Sequence, residues 1–184
     1  MLRFGRGEAA AFELLYRRHE LRVFRYVYRN VRNDALANDL MQDVWFAVAR
    51  SASRYEPTAR FTTWLFTLAH NRVVDSFRTR HAHQSLDAVA AAADGADGGT
   101  LADCLADDPR VEPPAAAESH DAARAIIAAV GQLPEEQRTA FLLQAEGDLS
   151  VEDIARVTGT NFETAKSRLR YARAKLRQLL WEYA

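Results

Sequence analysis

A chain of 184 residues with 48% hydrophobic and 27% charged side chains has room for one medium domain or two small ones, and is too apolar to be disordered throughout. Its net charge of −1 hides a division: residues 1–81 carry 14 basic against 8 acidic side chains, 82–121 carry 1 against 9, and 122–184 carry 9 against 8. The lone cysteine, Cys104, excludes an intrachain disulfide and a cysteine-based zinc site. The amino terminus, charged at Arg3, Arg6 and Glu8, and the alanine run at 90–93 are too polar or too short for a signal peptide or a membrane span. A cytoplasmic protein without membrane insertion is expected.

In chain order, Phe12, Leu15, Tyr16, Val23 and Val27 fall on one side of a helix over about residues 8–31. Leu36, Leu40, Val44, Ala47 and Val48 do the same for a second helix, which Asn33 or Asp34 is placed to cap. Pro57 interrupts the pattern. A third helix runs over about 62–78, with Leu65, Leu68, Ala69 and Phe77 as core candidates. Residues 82–121 are rich in Ala, Asp, Gly and Pro without sustained periodicity and read as a linker. Further helices are expected at about 122–130, 135–145, 151–157 and 161–180. No alternating strand pattern and no repeat is present, so the chain reads as two small all-α bundles on a tether.

The last two helices form the most specific feature. Ser150 is placed to cap the first of them, with Asp153 three residues on, and Ile154, Ala155 and Val157 make its apolar side. Gly159 breaks it. Thr160 with Glu163 predicts a second capping box, and the helix that follows carries Lys166, Arg168, Arg170, Arg173, Lys175 and Arg177 against the single acid Glu163. Leu169, Ala172 and Leu176 keep its other side apolar. A helix-turn-helix with a basic second helix suits the major groove and the phosphate backbone.

Two other surfaces stand out. On the second helix, Asp39, Gln42, Asp43 and Phe46 lie opposite the core, as in a protein interface with an aromatic anchor inside a polar rim. An ordinary solvated face satisfies the same pattern. The third helix and the loop before it gather Tyr55, Phe61, Trp64 and Phe66 with Arg54, Arg60, Arg72, Arg78 and Arg80. A bundle of this size needs most such rings as core, while aromatics interleaved with arginines also hold unpaired bases. His81, His83 and His120 read as solvated linker histidines, and neither a metal, a cofactor nor a catalytic residue is expected.

The segments NDLMQDVWFAVARS, RFTTWLFTLAHNRVVDSFR and, after the linker, LPEEQRTAFLLQAEGDLSVEDIARVTGTNFETAKSRLRYARAKL resemble the extracytoplasmic-function class of bacterial RNA polymerase sigma factors. The resemblance covers both helical blocks in the family's order. It implies an all-α fold of two small helical domains: sigma region two (1–81) and the region-four helix-turn-helix (122–184), joined by a flexible acidic linker (82–121). It implies that Asp39, Gln42 and Asp43 dock on the β′ clamp helices of core RNA polymerase, with Phe46 added to that surface as the exposed ring on the same face, and that region four sits on the β flap. Trp64, Asn71 and Asp75 are implied to read the minus-ten element, with loop 54–61, including Arg54, Arg60 and Phe61, pocketing a flipped base. Thr164, Lys166, Ser167 and Arg168 are implied to contact the minus-thirty-five element, and Arg170 and Arg173 join them as expected DNA contacts from the basic side of the same helix. An anti-sigma factor is a further partner expected from the resemblance. Two departures stand against the family pattern. Tyr55, Glu56 and Pro57 occupy a loop that usually holds a glycine, and Asn161, Glu163, Thr164 and Ala165 replace a Pro-x-Gly-Thr-Val opening of the recognition helix.

The principal rival is a helix-turn-helix regulator whose amino-terminal bundle senses a ligand or dimerises, which would bind DNA tightly without polymerase. An enzyme acting on nucleic acid lacks a carboxylate, Cys/His or nucleophile constellation to support it.

Overall fold

The computed structural model describes residues 1–87 and 116–181, the side chains of 80–87 and 116–120 excepted. The described residues form helices α1 (Leu2–Gly5), α2 (Ala9–Val31), α3 (Asp34–Ser51), α4 (Phe61–Asp87), α5 (Ala116–Gly131), α6 (Glu135–Gly147), α7 (Val151–Thr158) and α8 (Phe162–Leu179), with a 3₁₀ turn at Ala52–Arg54.

In the amino-terminal block, α2 buries Val23, Tyr26, Val27 and Val31 along one stripe and stops at Arg32, which is left-handed at φ 54°. The Arg32 N–H closes the helix on the Tyr28 carbonyl. Of the two candidate caps for α3, Asn33 is used: its side chain accepts the Leu36 N–H at 2.8 Å. Helix α3 then buries Ala37, Leu40, Met41, Val44, Trp45 and Val48. Helix α4 contributes Leu65, Phe66, Ala69 and Val73 to the core, while Leu68 and Phe77 pack only partly buried against it. Tyr26 joins α2 to α4 twice, by an edge-on contact with Phe66 at 5.5 Å and a hydroxyl hydrogen bond to His70 Nδ1 at 3.1 Å.

The carboxy-terminal block packs α8 on α5, α6 and α7 around Leu142, Leu143, Ile154, Ala165, Leu169, Ala172 and Leu176. Helix also covers both ends of the segment expected to be linker, since α4 continues to Asp87 and α5 starts at Ala116. Neither stretch contains Gly or Pro, and the second is rich in alanine, so nothing in them stops a helix. The remainder of that segment, with Cys104, lies outside the described residues, as do the side chains of Arg80, His81, His83 and His120.

The two blocks touch. Helix α2 packs on α6 and α4 packs on α7, and one hydrophobic cluster runs through both blocks. Arg29 Nη1 donates to Glu146 Oε1 at 2.6 Å, with side-chain exposures of only 18% and 9%. Beside this pair the Thr139 hydroxyl donates to Asn30 Oδ1 at 3.0 Å, while Asn30 Nδ2 donates to the Tyr26 carbonyl at 2.8 Å. Burial pushes the Glu146 carboxyl above its ordinary range, against the pull of Arg29, Arg25 and Arg22, because desolvating the charge costs more than these cations return.

Candidate nucleic-acid and protein interfaces

Asp39, Gln42, Asp43 and Phe46 are all exposed, on the side of α3 opposite its buried stripe. Their spacing of three, one and three residues places them in one row along the helix. Phe46 is 56% exposed, a large apolar ring held out among carboxylates. The packing of the carboxy-terminal block against α2 and α4 leaves this row uncovered.

The aromatic group around α4 divides. Phe66 is fully buried and belongs to the core. Tyr55, Phe61 and Trp64 instead form a half-buried cluster, with ring centroids 5.0 Å apart for Tyr55 and Trp64 and 5.8 Å for Phe61 and Trp64. His19 of α2 closes on Phe61 at 5.4 Å. The rings of His19, Tyr55 and Phe61 border an open concavity of about 680 Å³, which Arg18, Pro57 and Arg60 also line, while Trp64 lies behind Tyr55 and Phe61. The loop before α4 and the middle of α2 are thus brought to one hollow with cations at its rim. Asn71 and Asp75 are exposed farther along α4, at helical spacing from Trp64, so the three share one stripe about 16 Å long. Asp75 faces Arg78 at 3.8 Å. Arg54 and Arg60 are exposed, whereas Arg72 is half-buried, its Nε without a hydrogen-bond partner among the described residues.

In the helix-turn-helix, the Ser150 hydroxyl accepts the Asp153 N–H at 3.1 Å, which is the expected cap. Gly159 makes the turn at φ 62°. The second cap differs from the expected Thr160 and Glu163 box. The Asn161 side chain accepts the Thr164 N–H at 2.7 Å, and the Thr160 hydroxyl pairs with that of Thr158 at 3.0 Å. Asparagine caps at least as well as threonine, and its place one residue later sets the first turn of α8.

Four of the six cations of α8 are already engaged. Arg168 Nη2 meets Glu136 of α6 at 2.8 Å and is only 19% exposed. Arg173 donates to Gln144 at 2.6 Å, Lys166 faces Glu163 at 3.7 Å and lies over the Phe162 ring, and Arg170 stacks on Tyr171 at 4.9 Å. Thr164 and Ser167 are half-buried in a groove that Pro134, Glu136, Asn161 and Tyr171 also line. The periodicity of α8 pointed to its basic side but not to Glu136, Gln144, Phe162 or Tyr171. The first two come from α6, and the exposed rings read as ordinary helix residues. Among the described residues no group of three or more His, Cys, Asp or Glu is placed to hold a metal ion, and no helix is long and apolar enough to cross a membrane.

Comparison with known proteins assigns both blocks. Residues 15–83 match the family model of sigma-70 region 2, and residues 123–176 match that of sigma-70 region 4. The chain is 37% identical over 183 residues to the RNA polymerase sigma factor CarQ of Myxococcus xanthus, covering 99% of this chain and 96% of that protein. It is 30% identical over 176 residues to the ECF RNA polymerase sigma factor SigK of Mycobacterium ulcerans, covering 95% and 88%. In fold it is similar to the sigma factor RpoE crystallised with the anti-sigma factor NepR from Bartonella quintana, with a TM-score of 0.69, 20% identity, and coverage of 92% of this chain and 96% of that one. With both family models in order and full-length relatives of this class, the chain belongs to the extracytoplasmic-function family of bacterial RNA polymerase sigma factors.

Proposed function

We infer that the chain binds core RNA polymerase and directs it to particular promoters as an alternative sigma factor. The observation that carries this is the presence of two sigma modules in one chain, matched across both blocks. A stand-alone regulator with a sensing bundle has no use for a region-2 module, so the rival reading falls behind. In this proposal the exposed row Asp39, Gln42, Asp43 and Phe46 docks on the β′ clamp helices, and region 4 sits on the β flap. The concavity beside Tyr55 and Phe61 receives a base flipped from the minus-ten element, with Arg54 and Arg60 on its phosphates and Trp64, Asn71 and Asp75 along the strand. Asn71 offers both a donor and an acceptor to a base edge. Thr164, Lys166, Ser167, Arg168, Arg170 and Arg173 form the minus-thirty-five surface. Opening is driven by capture of unpaired bases, each stacking contact being worth about 1–3 kcal/mol. An anti-sigma partner is part of the proposal, since the structures of the fold neighbours RpoE and CnrH are complexes with the anti-sigma factor NepR and with the cytosolic domain of CnrY.

The test is transcription with purified core polymerase and mapping of transcript starts on genomic DNA. Discrete new starts are expected, and Asp43→Lys should weaken binding to core while leaving helicity unchanged. DNA binding that is tight without polymerase, with no new starts, would return the regulator reading to first place.

A further inference from the structure

Arg18, Arg22, Arg25 and Arg29 follow one another along α2 at spacings of four, three and four residues, and Arg32, the left-handed residue that ends the helix, comes three residues later. That alternation keeps the four helical arginines on one face, in steps of about 5 Å over roughly 16 Å of helix. The surroundings bear out a continuous ladder. Arg18 and Arg22 both act on the imidazole of His19, and Arg22, Arg25 and Arg29 all act on the carboxylate of Glu146. Arg32 ends the row with its guanidinium against Gly131 of α5.

Like charges at these spacings repel, so an unneutralised ladder disfavours its own helix unless an anion answers it. Within the described residues Arg29 is paired with Glu146, while Arg18, Arg22, Arg25 and Arg32 have no ion pair. Arg18, Arg22 and Arg32 are exposed, and Arg25 keeps a buried Nε without a hydrogen-bond partner among the described residues. The ladder also has a direction. Its first rung, Arg18, lines the same concavity as Tyr55, Arg60 and Phe61.

We propose that the α2 arginine ladder is a phosphate track for single-stranded DNA that continues the base-capturing concavity, and that Glu146 occupies its middle while the two blocks are packed. This rests on the sigma-factor reading of loop 54–61 and α4. A strand with one base in the hollow lays its backbone along α2, each guanidinium meeting a phosphate oxygen with a charge-assisted hydrogen bond. In the packed chain the carboxylate of Glu146 stands where a phosphate would, so region 4 and the strand compete for Arg29 and its neighbours.

The experiment follows anisotropy of a fluorescein-labelled single-stranded oligonucleotide of non-promoter sequence with the full chain, between about 50 and 200 mM salt. A double variant, Arg22→Gln with Arg25→Gln, is expected to lower the salt slope by about 1.4, or about 0.7 for each phosphate no longer neutralised. The corresponding Lys variants should retain the slope, and Glu146→Gln should tighten binding severalfold. An unchanged slope in a double variant of normal helicity overturns the proposal. So does a Glu146→Gln chain that binds no more tightly than the parent, and that measurement decides alone if the double variant does not fold. Parallel transcription with core polymerase separates the two readings. Discrete starts with an unaffected slope remove the ladder and keep the sigma function, while a lowered slope without any starts does the reverse.

Discussion

The arginines of α2 and those of α8 are held in opposite ways. On α8 four of the six cations have a partner within their own block: Arg168 with Glu136, Arg173 with Gln144, Lys166 with Glu163 and Arg170 with Tyr171. On α2 the one recorded ion pair of the ladder reaches across to the other block, from Arg29 to Glu146. A cation with a local partner must exchange it to bind a phosphate or a base, so what it gains is selectivity for a ligand that beats that partner. A cation without one gains the whole interaction. On the proposed readings α8 is thus suited to discrimination, and α2 to block-to-block association and to phosphates.

The largest effect that tests this contrast comes from Arg29→Ala. It leaves Glu146 buried without its partner and should cost about 3–5 kcal/mol of the packed state, measured by urea unfolding. A loss below about 1 kcal/mol would place the pair among exposed bridges of little weight and remove the asymmetry. Next in size, Arg168→Ala should cost roughly 1–3 kcal/mol on a cognate promoter if the arginine reads a guanine. Glu136→Gln should strengthen binding to the same site by freeing Arg168. Binding weakened by both changes would mean that Glu136 orients the arginine instead of competing for it.

The turn region permits a finer comparison. Asn161→Ala should cost about 1 kcal/mol through loss of the α8 cap, as should Ser150→Ala for α7, whereas Thr160→Ala should cost less than either in thermal melts. Equal losses at Thr160 and Asn161 would restore the capping box that the structure replaces. The smallest effect concerns acid. Burial holds the imidazoles of His19 and His70 below their ordinary value, His19 further lowered by Arg18 and Arg22. Their neutral forms contribute stability above about pH 6.5 that is lost as pH falls through the lowered values. His70→Gln, which removes one of the two groups, should flatten the melting-temperature profile between about pH 7 and 5. An unchanged profile would mean that His70 is not one of the titrating groups.

Much of each block was legible because its determinants are local. The stripe of α3 follows from Leu36 through Val48, and its exposed row was placed by the same count. Ser150 and Gly159 have the chemistry of a cap and a turn wherever they occur. The cap expected at Thr160 moved because two good capping residues stand side by side there and only geometry chooses. What the pattern could not carry is the meeting of the two blocks. Arg29 and Glu146 are 117 residues apart, and each reads as an ordinary surface charge on its own helix. Asn30 and Thr139 likewise sit at polar positions that burial between two helices turns into an internal hydrogen bond. Periodicity also counts Phe61, Trp64 and Phe66 alike, although only Phe66 turns fully inward. The α2 ladder is present in the sequence as a spacing, but its neighbours are needed to show that four rungs are not ion-paired.

Gly147, the last residue of α6, bears on how far this molecule can reach. Its bare backbone lies against the Phe66 ring of the other block, and an added methyl would meet Leu149 Cδ1 and come within 3.3 Å of that ring. Leu149 is itself buried, so there is little room for it to retreat. Any side chain at 147 therefore acts as a wedge at the joint. The two promoter elements named for a sigma factor lie about 25 base pairs apart, roughly 85 Å of duplex, a span that calls for blocks held apart. A missing methyl group at this contact thus lets the folded-up ruler close more tightly than any other residue there would allow.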